Sequence, residues 1–273
     1  MKKLFKIGLI FSLLISFNSL IAHDLKGAVE SDDRSSKYIV RDNERNPLET
    51  LSFFGLESDM VIVELSPGGG WYTEILANFI HYPGTLIAAH FSADSDRAYY
   101  KRSRSNFEEK MASNSMYGRV EIVDLDSQLS DPGTVDAVLT FRNLHNWLGP
   151  TMDSIFSNTH KALKPGGIFG IVEHRAKPGT SMDMMRKSGY VTEAHAIEIA
   201  QKHGFELVAK SEINANPKDL KDYPKGVWTL PPNLRLKDTD KEKYLEIGES
   251  DRMTLLFRKS IESVSYTHLT LPT

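Results

Sequence analysis

The chain has 273 residues, of which 40% are hydrophobic and 25% charged, which suits one soluble α/β domain and leaves little room for two. Its formal net charge of −3 excludes a global basic field for nucleic acid or anionic lipid, so a small-molecule substrate fits better. The absence of cysteine excludes a disulfide framework, a thiolate metal site and a cysteine nucleophile.

The chain begins with the features of a secretory signal peptide. Lys2 and Lys3 precede a mostly apolar run over 4–17, and small residues lead to Ala22 before the polar His23. A single membrane anchor is the alternative, but the run is shorter than the ~20 residues that a spanning helix needs. We therefore expect residues 1–22 to be cleaved, a periplasmic or secreted location, and no stable membrane span in the mature chain.

A helical stripe and then a regular alternation of strands and helices follow. Pro47 stands at a natural first-turn position and Gly55 ends the stripe, so a helix is predicted between them. The apolar run that ends at Glu64 is typical of a central parallel strand buried on both faces. Further strands are predicted at 85–89, 120–123, 135–140, 167–173, 205–213 and 253–258, and further helices at 71–80, 92–112, 151–163 and 192–203.

This order predicts one Rossmann-like α/β domain over 23–260. Right-handed crossovers place helices on both faces of a mostly parallel, seven-stranded sheet, whose last strand we expect to be antiparallel. Residues 214–250 contain several prolines and many charges, so they are predicted to form a lid-like excursion between the last two strands. Residues 261–273 are expected to be a tail, of which 264–273 lacks any pattern of a packed element and looks like translated sequencing-adapter DNA.

The strongest local signal is the turn after the first predicted strand. The sequence Glu64-Leu-Ser-Pro-Gly68-Gly69-Gly70 takes a buried strand into a glycine-rich turn and then a helix. Glycines allow a ligand to approach the backbone closely, and the helix N-terminus offers free N–H donors. A tight turn that binds nothing is the alternative.

The acid before these glycines, with Lys164-Pro-Gly-Gly167 ahead of a later strand, resembles two hallmarks of the class I S-adenosylmethionine (SAM) dependent methyltransferases. The resemblance covers Asn46 to about Arg258, and more narrowly it is similar to a group of predicted exported methyltransferases. It implies SAM as the cofactor, with Glu64 under its methionine end and the glycines around it. The predicted cofactor-binding residues are Glu64, Ser66, Gly68, Gly69, Gly70, Tyr72, His90 and Asp124.

Two positions depart from the pattern of that family. Ser66 and Pro67 stand where the first glycine of the loop is usual, and Pro67 removes one N–H donor. His90 ends the second strand, where most members have an acid that binds the ribose hydroxyls, and an imidazole makes only one such bond. Asp124 stands where the family commonly places an acid that contacts adenine, with a turn cap as the alternative.

A second cluster, Arg142-Asn143-Leu-His145-Asn-Trp147, follows the fourth strand, where open α/β sheets present ligands. Its Leu-His-Asn-Trp resembles the segment of small-molecule O-methyltransferases in which the histidine takes a proton from the acceptor hydroxyl. Such a base is useful because a neutral hydroxyl attacks a sulfonium methyl poorly, and imidazole titrates near neutral pH. We predict His145 as general base, with Arg142 and Asn143 as further catalytic residues. A packed histidine beside Trp147 is the alternative.

Other candidates are weaker. Core packing or capping is the simpler interpretation for Glu173, His174 and Trp228. The basic run from Arg97 to Arg104 is flanked by acids on both sides and predicts a solvated helix face. No metal is predicted, because no His-x-x-x-His or Glu-x-x-His pair lies on a credible helix.

The predicted function is SAM-dependent methyl transfer to a small-molecule acceptor, with oxygen as the expected acceptor atom and no nucleic acid partner. Ser66 and His90 leave open a non-catalytic exported protein that keeps the fold and binds another nucleoside or metabolite. A nicotinamide-dependent oxidoreductase is disfavoured, because it needs Gly-x-Gly-x-x-Gly and an acid after the second strand. The sequence does not predict the acceptor or the oligomeric state.

Overall fold

A computed structural model describes residues 25–261. The predicted signal peptide and the 264–273 segment lie outside these residues. Seven strands form one sheet in the order β3-β2-β1-β4-β5-β7-β6. They are β1 Val61–Leu65, β2 Thr85–His90, β3 Val120–Asp124, β4 Val135–Phe141, β5 Leu163–His174, β6 Phe205–Ser211 and β7 Arg252–Lys259. Strands β1 to β5 pair in parallel and β7 runs antiparallel to β5 and β6, which confirms the predicted mostly parallel sheet with an antiparallel last strand.

Helices cover both faces of the sheet. Their bounds are Ser36–Ile39, Asp42–Arg45, Pro47–Phe54, Trp71–Phe79, Ala98–Ala112, Leu144–Trp147, Pro150–Ala162, Met182–Ser188, Glu193–Lys202 and Lys241–Ile247. A short helical segment lies at 25–29, and 3₁₀ turns lie at Ser115–Tyr117 and Gly226–Thr229. None of the helices in the described part of the chain has the length and apolar character needed to span a bilayer.

Two apolar layers enclose the central strands. On one face, Val63 and Leu65 of β1 pack with Phe156 of the Pro150–Ala162 helix. On the other face, Ile62 packs with the Pro47–Phe54 and Trp71–Phe79 helices. Burying each such side chain stabilises the fold by about 1.5–3 kcal/mol. Burial on both faces explains why β1 is a continuous apolar run rather than an alternating one.

The Pro47–Phe54 helix agrees with its prediction. Pro47 occupies its first turn, and Gly55 ends it in the left-handed region with φ 70°. Its Phe54 ring lies directly on β5, where a Cβ added to Gly170 would come within 3.0 Å of the ring. Glycine at that position therefore allows the helix to approach the sheet closely.

Three local predictions were wrong in detail. The helix predicted from residue 92 begins at Ala98. The Lys164-Pro-Gly-Gly167 segment lies inside β5 rather than in a turn before it, and the β4–β5 register shifts beside it, between Val135 and Ala137. The helical segments between 25 and 46 were not predicted, because each has only four or five residues and no full apolar stripe.

Candidate active site at the carboxyl edge of the sheet

The glycine turn lies at the carboxyl end of β1. Ser66, Gly68 and Gly70 adopt positive φ values of 52°, 61° and 82°. Gly68 and Gly69 are exposed, and a Cβ added to Gly68 would meet no atom within 4 Å. A Cβ added to Gly69 would lie 2.8 Å from the hydroxyl of Tyr38, so a larger residue would displace that side chain. The turn therefore presents bare backbone to the space above it.

Glu64 lies beneath this turn with 2% of its surface exposed. Its carboxylate accepts a hydrogen bond of 2.5 Å from the Thr73 hydroxyl, on the first turn of the next helix. Burial raises the pKa of Glu64 to about 7, against the opposing effects of the Thr73 hydrogen bond, Lys110 and Arg142. A positively charged ligand above the turn would favour the ionised carboxylate.

The segment that contains Tyr38 is attached to the glycine turn. The Tyr38 hydroxyl donates to the Gly69 carbonyl at 2.7 Å, and the Trp71 ring N–H donates to the Tyr38 carbonyl at 3.0 Å. Lys110 donates to the same Gly69 carbonyl at 3.1 Å and forms an ion pair with Glu74 at 2.7 Å. Sequence reasoning missed these contacts, because Tyr38 belongs to a segment with no recognisable motif.

A cavity of about 510 Å³ opens beside the turn. Its walls include Gly68, Gly69, Tyr38, Lys110 and Tyr117. It faces the Ala98–Ala112 helix rather than the end of β4. The glycine turn is therefore accessible from that side.

His90 and Asp124, the predicted ribose and adenine contacts, have partners within the protein. His90 accepts from the Phe91 N–H at Nδ1 (2.8 Å) and donates from Nε2 to the Gly68 carbonyl (3.2 Å). Burial lowers the pKa of His90, which favours this neutral tautomer. The Asp124 carboxylate accepts from Arg104 at 2.8 Å. Arg104 is buried, so its predicted place on a solvated helix face was wrong.

Ser66 and Tyr72 are the remaining predicted cofactor residues. The Ser66 hydroxyl is buried and has no hydrogen-bond partner among residues 25–261. Tyr72 is buried and stacks on Phe141 with ring centroids 3.5 Å apart, and its hydroxyl donates to the Arg45 carbonyl at 3.4 Å. The Tyr72 ring therefore belongs to the apolar core, which is where the structure places this predicted cofactor residue.

Arg142 and Asn143 form the turn after β4. The Asn143 amide donates at 3.2 Å to the carbonyls of Leu65 and Ser66, so it joins this turn to the glycine turn. Arg142 adopts φ 63°, in the left-handed region that a non-glycine residue rarely occupies, and its N–H donates to Val172 at 2.7 Å. The two turns thus hold each other at one edge of the sheet.

His145 is oriented by a buried carboxylate. Its Nδ1–H donates to Glu173 Oε1 at 3.0 Å, and Glu173 also accepts the backbone N–H groups of Leu144 and His174. The Trp228 ring lies 5.9 Å from the His145 ring, edge to face. Within the described residues, no group forms a hydrogen bond with His145 Nε2. In the neutral ring that this hydrogen bond orients, Nε2 is the nitrogen that carries the lone pair.

His145, Glu173 and His174 lie at or just after the ends of two different strands, so no spacing in the sequence marks them as a set of metal ligands. Their potential ligand atoms lie within 4.8 Å of one another. His174 is half-buried, and its pKa is lowered well below the usual value, chiefly by desolvation. The set has the donor types of a metal site, although the nearby guanidiniums oppose a second cation.

Four guanidinium groups surround one buried carboxylate beside this histidine cluster. Glu249 forms ion pairs with Arg41, Arg45, Arg142 and Arg252. Burial raises the pKa of Glu249, but the arginines, Arg45 first, lower it below the usual value overall. Of the four, sequence reasoning named only Arg142, because the others come from the unpredicted N-terminal helices and from the start of β7.

Comparison with known proteins identifies the fold. A family model described as a methyltransferase domain matches residues 63–171, from β1 into β5. A SAM dependent methyltransferase from Aquifex aeolicus is similar at 14% identity, with a TM-score of 0.55, over 85% of this chain and 96% of that one. The 4+2 cyclase SpnF is similar at 15% identity and a TM-score of 0.59, over 88% and 94% of the two chains.

A third similar structure is a geranyl diphosphate C-methyltransferase from Streptomyces coelicolor. It shares 13% identity and a TM-score of 0.57, over 85% of this chain and 84% of that one. No curated protein sequence matches the chain. At these identities the similarity concerns the fold, and the chain has the fold of the class I SAM-dependent methyltransferases.

Proposed function

Given this fold, we propose that the chain transfers a methyl group from SAM to an oxygen of a small-molecule acceptor, with His145 as the general base. The observation that carries the proposal is the hydrogen bond between His145 Nδ1 and Glu173. It leaves the other ring nitrogen free at the edge of the sheet that also holds the glycine turn. An acceptor hydroxyl needs such a base, whereas a site that only binds a metabolite does not.

The residues of the glycine turn fit the methionine end of SAM. Gly68 and Gly69 offer exposed backbone, the Ser66 hydroxyl lacks a partner among the described residues, and Glu64 is a buried carboxylate without a cationic partner in hydrogen-bond contact. SAM carries a positive sulfonium and an ammonium group, which would compensate that carboxylate. Bound SAM would supply an electrophilic methyl group. The fit is weaker at the ribose, because His90 is already bonded at both nitrogens.

His145 and Glu173 divide the acid–base work in this mechanism. His145 Nε2 would take the proton from the acceptor hydroxyl, so that the oxygen becomes a competent nucleophile for the methyl group that bound SAM would supply. Glu173 holds the ring in the tautomer with Nδ1 protonated and stabilises the imidazolium that forms. Asn143 fixes the distance between the two turns, and in-line transfer depends on that alignment.

The long excursion between β6 and β7 completes the site. Its Trp228 contacts the His145 ring, and its Glu249 reaches Arg142. A Cβ added to Gly189 would come within 3.1 Å of the Trp228 ring, so the ring is tightly packed on that side. We propose that this segment excludes water from the acceptor.

The fold alone does not select the reaction. SpnF is described as a cyclase and the Streptomyces coelicolor enzyme as a C-methyltransferase, although both share this fold. The oriented base favours an O–H acceptor here. A non-catalytic protein that binds another nucleoside remains the second candidate, and the engagement of His90 by the glycine turn favours it.

Turnover with labelled cofactor separates these candidates. The purified protein is incubated with methyl-tritiated SAM and a small-molecule extract of the source cells, beside the variants His145→Gln and His81→Gln. We expect label in an extract component and release of S-adenosylhomocysteine (SAH), retained in His81→Gln and lost in His145→Gln. Absence of transfer together with a copurifying nucleoside other than SAM would support the binding protein instead.

We also propose export with cleavage after Ala22, which the first 22 residues motivate. The test is the intact mass of the protein recovered from the periplasm of an expressing bacterium. An intact mass equal to that of a chain whose first residue is His23 supports export. A full-length protein confined to the cytoplasm would contradict it.

A further inference from the structure

The arginine cluster consists of Arg41, Arg45, Arg142 and Arg252, with Glu249 at its centre. Among residues 25–261, Glu249 is the only carboxylate in an ion pair with any of these guanidiniums. The side chains of Arg45, Arg252 and Glu249 are 3%, 4% and 5% exposed. The side chains of Arg41 and Arg142 are 23% and 21% exposed. Four positive charges thus share one negative charge in a largely buried cluster, which is unfavourable unless another anion is present. Glu44 is exposed, and it accepts from Arg252 through its backbone carbonyl and from the Glu249 N–H through its carboxylate, which forms no ion pair with the four arginines among the described residues.

The members of the cluster differ in how well their hydrogen bonds are satisfied. Arg252 uses all three of its nitrogens, on Ser250, Glu249 and Glu44. Arg45 bonds only through Nε, at 3.3 Å to both oxygens of Glu249. Arg142 forms no side-chain hydrogen bond within the described residues, and its Nη1 lies 3.7 Å from Glu249. Arg41 donates to Glu249 through Nε and Nη2, so among the described residues most of the unused donors belong to Arg45 and Arg142.

Arg45 and Arg142 also repel each other. Burial and then the charge of Arg142 lower the pKa of Arg45 to about 8. Because a guanidinium does not deprotonate under physiological conditions, this shift measures electrostatic strain rather than a neutral arginine. An anion between the two would relieve that strain and use the free N–H groups.

The Arg45 side chain and the backbone of Arg142 are held in place without a ligand. Arg142 follows β4 in a left-handed backbone conformation, and the Arg45 guanidinium stacks 4.7 Å from the Trp71 ring. Such prior positioning lowers the entropy lost on binding. A strained residue with an unsatisfied charge is costly to keep, which indicates a role other than stability.

We propose that Arg45 and Arg142 bind a negatively charged group, a carboxylate or a phosphate, of the methyl acceptor. Paired guanidiniums offer planar, bidentate donors that match both groups. Assigning the anion to the acceptor rests on the proposed function, whereas anion binding itself does not. Arg142 stands three residues before His145, so an anion bound to Arg142 is held beside the base. The positive charge of Arg142 also acts on both Glu64 and His174.

Anion titration of the ligand-free protein tests this directly. Inorganic phosphate and acetate are titrated separately at constant ionic strength, with chloride as the reference, and binding is measured by calorimetry and by the unfolding midpoint. The variants are Arg142→Gln, Arg142→Lys and, as a control on the surface, Arg119→Gln. We expect one or both anions to raise the midpoint of the wild-type and Arg119→Gln proteins, and the stronger binder shows whether phosphate or carboxylate is preferred.

Arg142→Gln gives a result that a structural arginine would not. It removes one of four crowded charges, so we expect the ligand-free midpoint to rise while anion affinity falls at least about tenfold. Arg142→Lys should keep part of the affinity, because the charge remains and the bidentate geometry is lost. The proposal is overturned if neither anion binds the wild-type protein, or if Arg142→Gln leaves anion affinity unchanged.

SAH is titrated into the same samples. Binding of SAH without binding of either anion would overturn the acceptor inference and leave the proposed function intact. Binding of an anion without SAH would contradict the proposed function and leave the arginine site standing.

Discussion

The carboxyl edge of the sheet has two halves with opposite electrostatic needs. The cofactor half is the glycine turn with Glu64, and it contains a buried carboxylate whose pKa is raised to about 7 by burial. The acceptor half follows β4 and β5, and it contains four arginines around Glu249. In the first half, no cationic group of the described residues forms a hydrogen bond with the Glu64 carboxylate, and in the second half four guanidiniums share one carboxylate. A cationic cofactor beside an anionic acceptor would satisfy both.

The halves also differ in how the chain builds them. The cofactor half comes from one stretch of sequence, Glu64 to Thr73, with Tyr38 and Lys110 attached to it. The acceptor half combines the N-terminal helices, the turn after β4, the end of β5 and the start of β7. A contiguous motif is recognisable in sequence, whereas a site assembled from distant segments is not.

The largest effect is expected from the base of the acceptor half. His145→Gln should lower the rate of methyl transfer by about 10²–10⁴-fold, because it removes proton abstraction and leaves the glycine turn unchanged. SAH affinity, measured by calorimetry, should stay within about twofold of the wild-type value. Equal losses of rate and of SAH binding would mean that the two halves are not separate.

Glu64→Gln tests whether the buried Glu64 carboxylate of the cofactor half destabilises the fold when it is ionised. The test is the pH dependence of the free energy of unfolding. The unfolded chain ionises Glu64 near 4.5, but the folded protein keeps the proton up to about pH 7. The folded state thus binds more protons in this window, so this group lowers the free energy of unfolding by up to about 3 kcal/mol as pH rises through it. Urea unfolding at about pH 5 and about pH 8 should show that loss in the wild-type protein relative to Glu64→Gln.

Bound SAH should offset the loss of unfolding free energy that the ionised Glu64 causes. At the higher pH it should stabilise the wild-type protein more than Glu64→Gln, since only the wild type offers a carboxylate to the ammonium group. Parallel pH profiles for the two proteins would show that Glu64 is not under electrostatic strain.

Tyr38→Phe tests how the N-terminal segment supports the cofactor half. The variant loses one hydrogen bond, to the Gly69 carbonyl, so we expect about a fivefold weaker SAH affinity, near 1 kcal/mol. Tyr99→Phe is the matched control, because Tyr99 is exposed and forms no hydrogen bond through its hydroxyl within the described part of the chain. An equal loss of SAH affinity in Tyr99→Phe and Tyr38→Phe would contradict a specific role of the Tyr38 hydrogen bond in SAH binding.

The smallest effect is expected from metal removal. The guanidiniums near His145, Glu173 and His174 disfavour a cation, so a chelator should leave methyl transfer and the unfolding midpoint unchanged. Methyl transfer and the unfolding midpoint are measured before and after dialysis against a chelator, and again after zinc is added. A midpoint that falls on chelation and recovers with zinc would make the histidine cluster a metal site.

The sequence predicted the sheet, its order of elements and the glycine turn, because buried parallel strands and glycine turns are local patterns. It did not predict the burial of Arg104, because its partner Asp124 ends β3 and meets the Ala98–Ala112 helix only in the folded chain. Glu173 was set aside as packing, since its contact with His145 joins the ends of two strands. Glu249 carried no sequence signal at all, because its importance lies in arginines far away along the chain.

Calorimetric titration of SAH into the purified protein tests the central claim most directly. We expect one binding site with micromolar affinity, weakened at least about tenfold in Glu64→Gln and unchanged in His145→Gln. A folded protein that shows no heat of binding with SAH or SAM would contradict the assignment of the glycine turn to this cofactor.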